Sequence, residues 1–237
     1  MSRNGGLRGA VRRARQLIDD RRATTRLVSE NPWMRDVVER IEHSRRSLKP
    51  RHTQYTNFVS NPGHALSLES SALIHALCHS MRPHRVIDLG SGFSSYVLRH
   101  YQAEVDDEVV VRSVDDSPEW LERTRDYLLE KKLSTDNLVA LGDIGPSDAG
   151  AYDLVVYDLG SMDTRSRWLS AALGLPRPSS GIMIVDDCHF DDFRANLIAN
   201  VQDLGGRCID LQCITRDHFG RFESLVTSLP PRESVET

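Results

Sequence analysis

Apolar residues in the first fifth of the chain fall three and four positions apart: Leu7, Val11, Ala14, Leu17 and Ile18, then Met34, Val37, Val38 and Ile41. That spacing lines one face of a 3.6-residue helix and predicts helical structure over about residues 7–48. Asn31-Pro32 divides it in two, and Pro50 is expected to end the second helix, because the residue before a proline is pushed out of helical angles. Residues 51–66 carry Tyr55, Phe58, Pro62 and Gly63 among polar neighbours and read as a loop. Ser67 then caps a helix running to about Met81.

Beyond that helix the pattern changes to short, partly β-branched apolar runs at 85–89, 109–114, 138–141, 154–157 and 182–185, separated by helical stretches at 94–101, 118–132, 165–173 and 191–204. Alternating strands and helices imply right-handed crossovers, and strands apolar on both sides imply a parallel sheet covered on both faces. After Gly205-Gly206 two further strands, 208–214 and 222–228, are predicted to close the sheet as an antiparallel hairpin turning around residues 218–220, with no helix between. The expected fold class is therefore α/β, a doubly wound, mostly parallel seven-stranded sheet closed by an antiparallel hairpin. Residues 1–64 read as a helical N-terminal extension and lid, and residues 65–237 as the main domain.

Composition refines this picture. With 39% hydrophobic residues, 237 residues suffice for one sizeable core. The net charge of -4 hides a division: residues 1–50 hold 13 Lys/Arg against 6 Asp/Glu, a balance of +7 that leaves -11 for the rest. A basic arm on an acidic body can meet an anionic partner, but it lacks the interleaved aromatics that single-strand binders stack on, so nucleic acid is not expected. Cys78, Cys188, Cys208 and Cys213 show no zinc-type spacing and are too few for a disulfide scaffold, which fits a reducing, cytoplasmic setting. No run reaches the length of a membrane span.

The chemistry should lie just beyond the carboxyl ends of the strands, where ligands bind in open parallel sheets. Those positions are acidic or glycine: Asp88-Leu-Gly-Ser-Gly-Phe-Ser, Asp115-Asp116, Gly142-Asp143, Asp158 and Asp186-Asp187. Gly90 and Gly92, flanking Ser91, allow a ligand to approach the backbone closely. A carboxylate ahead of that turn would repel a pyrophosphate. It would attract a cationic ligand, and a carboxylate after the second strand can accept hydrogen bonds from ribose hydroxyls.

The stretch Val86-Ile-Asp-Leu-Gly-Ser-Gly-Phe-Ser resembles motif I of class I S-adenosylmethionine-dependent methyltransferases, and the resemblance extends over residues 65–228. It implies the Rossmann-like methyltransferase fold and S-adenosylmethionine as cofactor. Gly90 and Gly92 would flank its methionine part, Asp115 would hold the ribose and Asp143 would lie near the adenine, with Asp88, Ser91, Asp116 and Asp158 also among the cofactor-binding residues. Ser94 stands where family members often have a third glycine.

The carboxylates of Asp158, Asp186 and Asp187 should also converge at adjacent strand ends, where they repel one another unless a cation or proton intervenes. This arrangement resembles the metal-dependent small-molecule O-methyltransferases of the catechol and macrolide-sugar types. It implies Mg²⁺ held by those three residues, with Asp158, Asp187 and His189 catalytic and His189 a candidate general base. The residues after Asp158 supply no lysine of the catechol type. A metal-free reading, with Asp158 near the cofactor and Asp187 capping the next helix, stays open, as does a His189 with no chemical role.

The expected activity is methylation of a hydroxyl on a small molecule, with His52, Tyr55 and His64 as candidate acceptor contacts and a homodimer as a candidate assembly. Two other classes compete: a nicotinamide-dependent oxidoreductase, disfavoured by Asp88 and by Ser95 at its third-glycine position, and a non-catalytic binding protein of the same fold.

Overall fold

The computed structural model describes residues 4–105 and 108–229, with side chains from residue 15 onward. Two long helices, α1 (Asn4–Glu30) and α2 (Met34–Phe58), precede α3 (Leu68–Met81). Strands and helices then alternate: β1 (Arg85–Leu89), α4 (Phe93–Glu104), β2 (Val110–Asp115), α5 (Pro118–Glu130), β3 (Leu138–Ala140), β4 (Leu154–Tyr157), α6 (Met162–Ala172), β5 (Ile182–Val185), α7 (Asp191–Asp203) and β6 (Arg207–Asp210). A single-turn helix, α8 (Gln212–Thr215), comes before β7 (Ser224–Thr227). Three helix starts are capped locally: the side chains of Ser67, Ser117 and Ser161 accept hydrogen bonds from the backbone N–H of Ser70, Trp120 and Thr164. Each satisfies a donor that the first helical turn leaves without a partner.

The seven strands run in the order β3-β2-β1-β4-β5-β7-β6. β7 is antiparallel to β5 and β6, and the other pairings are parallel. Strand order reverses between β1 and β4, so the loops after these two strands flank the crevice where such sheets take ligands. Every residue of β4 and β5 is buried. Successive side chains alternate between two cores: Leu154 and Val156 join the cluster that contains α2, α3 and α4 residues, while Val155 and Tyr157 join the one with Leu169 and Leu197. The sheet is thus covered on both faces, as its continuous apolar strands require.

Two expectations are corrected. Pro50 does not end the second helix, since α2 continues through it to Phe58. Proline removes one amide donor, but the turns beyond it are held by tertiary contacts. Tyr55 is 1% exposed, and its ring lies 5.3 Å from Phe93 and 5.0 Å from Tyr127. His52 Nε2 donates to the Leu66 carbonyl at 2.8 Å. The hairpin is also interrupted: the predicted strand 208–214 ends at Asp210, whose Oδ1 accepts from Gln212 N at 2.7 Å, and residues 211–215 wind one helical turn that buries Leu211 and Thr215. Met34, Val37, Leu48 and Tyr55 share one core with Val86 and Val111 of the sheet. Among the described residues no helix is long and apolar enough to cross a membrane.

Candidate active site

A cavity of about 550 Å³ lies over the β1/β4 crevice, and its wall includes Gly90, Ser91, Gly92, Asp115, Asp116, Asp158, Asp186 and Asp187. The turn after β1 forms its floor. Gly90 adopts φ +106°, and a Cβ there would collide with the Asp158 carbonyl, so only glycine lets the β1 and β4 loops meet this closely. Beneath the turn, Asp88 is fully buried. Its Oδ2 accepts from Ser95 Oγ at 2.6 Å and Ser113 Oγ at 3.2 Å, while Oδ1 has no partner. Burial raises this carboxyl to about 6 against the pull of those hydroxyls and of Arg99. Arg99, itself buried, spans the underside by donating to Ser113 Oγ and the Asp136 carbonyl.

Asp115 closes the β2 side. One oxygen accepts from the backbone N–H and the hydroxyl of Ser91, at 2.6 and 2.8 Å, and the other from Ser117 N at 2.9 Å. These bonds tie the glycine turn to the β2 terminus and hold the carboxylate at the cavity wall. Asp116 is exposed beside it, and Gly160 (φ +51°) leaves room for its carboxylate.

The β4 and β5 ends bring Asp158, Asp186 and Asp187 together, with one oxygen from each lying within 4.8 Å of the others. The cation between them is one the sequence reading missed. Arg165, on α6 and with a 4% exposed side chain, donates from Nη2 to Asp158 Oδ1 at 2.6 Å and from Nη1 to Asp187 Oδ2 at 2.7 Å. Burial and the neighbouring Asp187 and Asp88 charges raise the Asp158 carboxyl to about 6 in spite of Arg165. Asp186 is pushed well above the usual carboxylate range, first by burial and then by the charges of Asp158 and Asp187.

The segment after α2 roofs the cavity with Tyr55, Ser60, Gly63, His64, Ala65 and Leu66. A second overlooked arginine holds it there. Arg221 donates to the carbonyls of Pro62, Gly63 and Ala65 and pairs with Asp217 at 2.8 Å. Neither arginine's bridging role has a local signal in sequence, because Asp187 lies 22 residues from Arg165 and the roof carbonyls lie 156–159 residues from Arg221.

Three expected site residues sit elsewhere. Asp88 lies under the turn and does not line the cavity. Asp143 is exposed outside the wall and accepts from Ala140 N at 3.1 Å, capping its own turn. His189 lines a separate depression with Arg194 and Phe222, and its Nδ1 approaches Asp187 Oδ1 at 3.4 Å. Of the candidate acceptor contacts, Tyr55 and His64 reach the wall, whereas His52 is taken up by Leu66 and by the edge of Phe93.

The parallel sheet with its reversed penultimate strand and its pocket at the switch point has the Rossmann-like fold of class I S-adenosylmethionine-dependent methyltransferases. Among solved structures, the chain is similar to the O-methyltransferase TomG of Streptomyces achromogenes, involved in tomaymycin synthesis and solved with S-adenosylmethionine. The likeness has a TM-score of 0.51 and 16% identity, over 79% of this chain and 88% of that one. It is also similar to cofactor-bound Rv0187 from MTB (TM-score 0.57, 17% identity, 78% and 91% coverage). An O-methyltransferase from Bacillus cereus, in complex with S-adenosylhomocysteine, aligns at TM-score 0.54 and 14% identity over 86% and 96%. No protein-family model matches the sequence, and no curated protein does.

Proposed function

We propose that this chain is an S-adenosylmethionine-dependent methyltransferase acting on a hydroxyl group of a small molecule. The observation that carries the reading is the cavity at the strand-order reversal, with the Gly90 turn as floor and carboxylates of β2, β4 and β5 on its wall. Its volume of about 550 Å³ lies in the range of cofactor and small-ligand pockets. S-adenosylmethionine, when bound, supplies an electrophilic methyl group on a sulfonium.

The chain's part is to bind, orient and take a proton. Gly90, Ser91 and Gly92 would hold the methionine part, with Asp115 and Asp116 accepting from the ribose hydroxyls. An acceptor hydroxyl entering under Tyr55 and His64 would meet Asp158 and Asp187. Asp158, raised to about 6, suits a general base that takes the hydroxyl proton on a carboxylate oxygen near neutrality. Arg165 orients both carboxylates. The roof held by Arg221 excludes water from the reacting centre.

The acidic cluster also bears on Mg²⁺. Three carboxylates are the right donors for a hard ion, which favours the metal-assisted reading. However, Arg165 already bridges Asp158 and Asp187 and neutralises the repulsion an ion would otherwise relieve. The arrangement therefore fits the ion poorly, and we assign the neutralising role to the guanidinium. Calorimetry with S-adenosylhomocysteine and with NAD, followed by a methyl-transfer screen over sugars, phenols and amines with and without EDTA, tests the proposal. Binding of S-adenosylhomocysteine with EDTA-resistant transfer to a hydroxyl is expected. Absence of binding would sink the whole reading, and EDTA-sensitive transfer would restore the metal.

A further inference from the structure

A second cluster of ligating side chains stands well away from the cavity. His75 and His79 are four residues apart on α3, and His100 and Glu104 four apart on α4. Each pair shares one helix face, and the two faces meet. His75 Nε2 and His79 Nε2 lie 3.0 and 3.1 Å from Glu104 Oε2, and His100 Nε2 lies 3.4 Å from Oε1. The α3 pair and Glu104 present ligand atoms all within 4.8 Å of one another. Glu104 closes the 12-residue α4 at the end opposite the Gly92 turn, about 18 Å away at the helical rise. The cluster thus belongs to no part of the methyl-transfer site.

We infer that His75, His79 and Glu104 form a binding site for a divalent transition ion of the Zn²⁺ class, joining α3 to α4, with His100 flanking it on the other Glu104 oxygen. Two imidazoles and one carboxylate, with a fourth position left for water, are a donor set suited to zinc and not to Mg²⁺. Donors about 2.0–2.1 Å from a tetrahedral ion are roughly 3.3–3.4 Å from each other, close to the 3.0 and 3.1 Å that separate His75 and His79 Nε2 from Glu104 Oε2. Opening the cluster by a few tenths of an ångström would admit the ion. His75 also has the outer support typical of a ligating histidine: its Nδ1 is hydrogen-bonded at 3.0 Å to Ser44 Oγ of α2, which orients the ring so that Nε2 faces the centre. His75 is buried, while His79 and His100 are 29% and 27% exposed, leaving a route for the ion.

The test uses the full chain, stripped with EDTA and dialysed. Calorimetric titration with Zn²⁺ is expected to show one tight equivalent and a rise in Tm, and Co²⁺ to give the intense visible absorption of a tetrahedral centre. His79→Ala/His100→Ala should weaken Zn²⁺ binding at least 100-fold, whereas Asp187→Asn, in the cavity, should leave it unchanged. Should the double variant not fold, His79→Gln alone should still weaken binding tenfold or more. Equal Zn²⁺ affinity in wild type and histidine variants, or a weak octahedral Co²⁺ spectrum, would overturn the site and leave the cluster a hydrogen-bonded clamp between helices. Neither result depends on methyl transfer.

Discussion

A glycine of the turn after β1 and the aspartate beneath it set the most direct expectations. Gly90 holds φ +106° with no room for a Cβ, so Gly90→Ala should destabilise the protein by about 2 kcal/mol or more and abolish S-adenosylhomocysteine binding. Urea denaturation and calorimetry read the two effects. Asp88 has a carboxyl raised to about 6 by burial, so its protonated form is favoured in the fold. Its contribution is complete at acidic pH, below the unfolded carboxyl value, and is lost as pH climbs through about 6. The shift corresponds to roughly 2–3 kcal/mol. Asp88→Asn, which cannot ionise, should therefore gain stability relative to wild type between pH 4 and pH 7.5 by urea midpoint. A difference that does not change with pH would show that Asp88 is ionised throughout.

Among the elements, the segment between α2 and α3 depends on a partner far along the chain. Arg221 holds three carbonyls of that roof, at Pro62, Gly63 and Ala65. Arg221→Ala should raise amide exchange of residues 60–66 while α3 and β1 keep their protection. Acceptor KM should rise several-fold with cofactor affinity little changed. Unaltered exchange would mean that Tyr55 and its aromatic neighbours hold the roof unaided. The same element explains the misreading of Pro50. A proline predicts a helix end from the backbone alone, whereas here the aromatic contacts of Tyr55 with Phe93 and Tyr127 outweigh one lost hydrogen bond.

At the scale of the whole molecule, the N-terminal helices serve both core and cavity. Met34, Val37, Leu48 and Tyr55 are each at most 1% exposed in the core shared with the sheet. Burying such side chains is worth about 1.5–3 kcal/mol apiece, a sum comparable to the 5–15 kcal/mol of a typical domain. Deleting residues 1–58 should therefore leave no cooperative unfolding transition, while deleting residues 1–30 should leave a folded protein that still binds S-adenosylhomocysteine. A stable, cofactor-binding fragment 59–237 would show instead that α2 is a detachable lid.

Much of this was readable in the sequence because the signals are local. Strand runs such as 85–89 and 182–185, the serine cap at position 67, and the glycine turn all depend on a few neighbouring residues, and β-α alternation leaves little choice of architecture. The acidic strand ends were equally plain, since topology alone brings them to one rim. Tertiary structure decided what stands among them. Arg165 enters from a helix face to take the place between Asp158 and Asp187, His189 turns to another depression, and Asp88 sinks beneath the turn. The histidines of α3 and α4 likewise become a cluster only when the two helices pack together, bringing His79 to Glu104 across 25 residues of chain. Side-chain direction and long-range pairing follow from how the faces of packed elements meet, and no window of sequence contains that information.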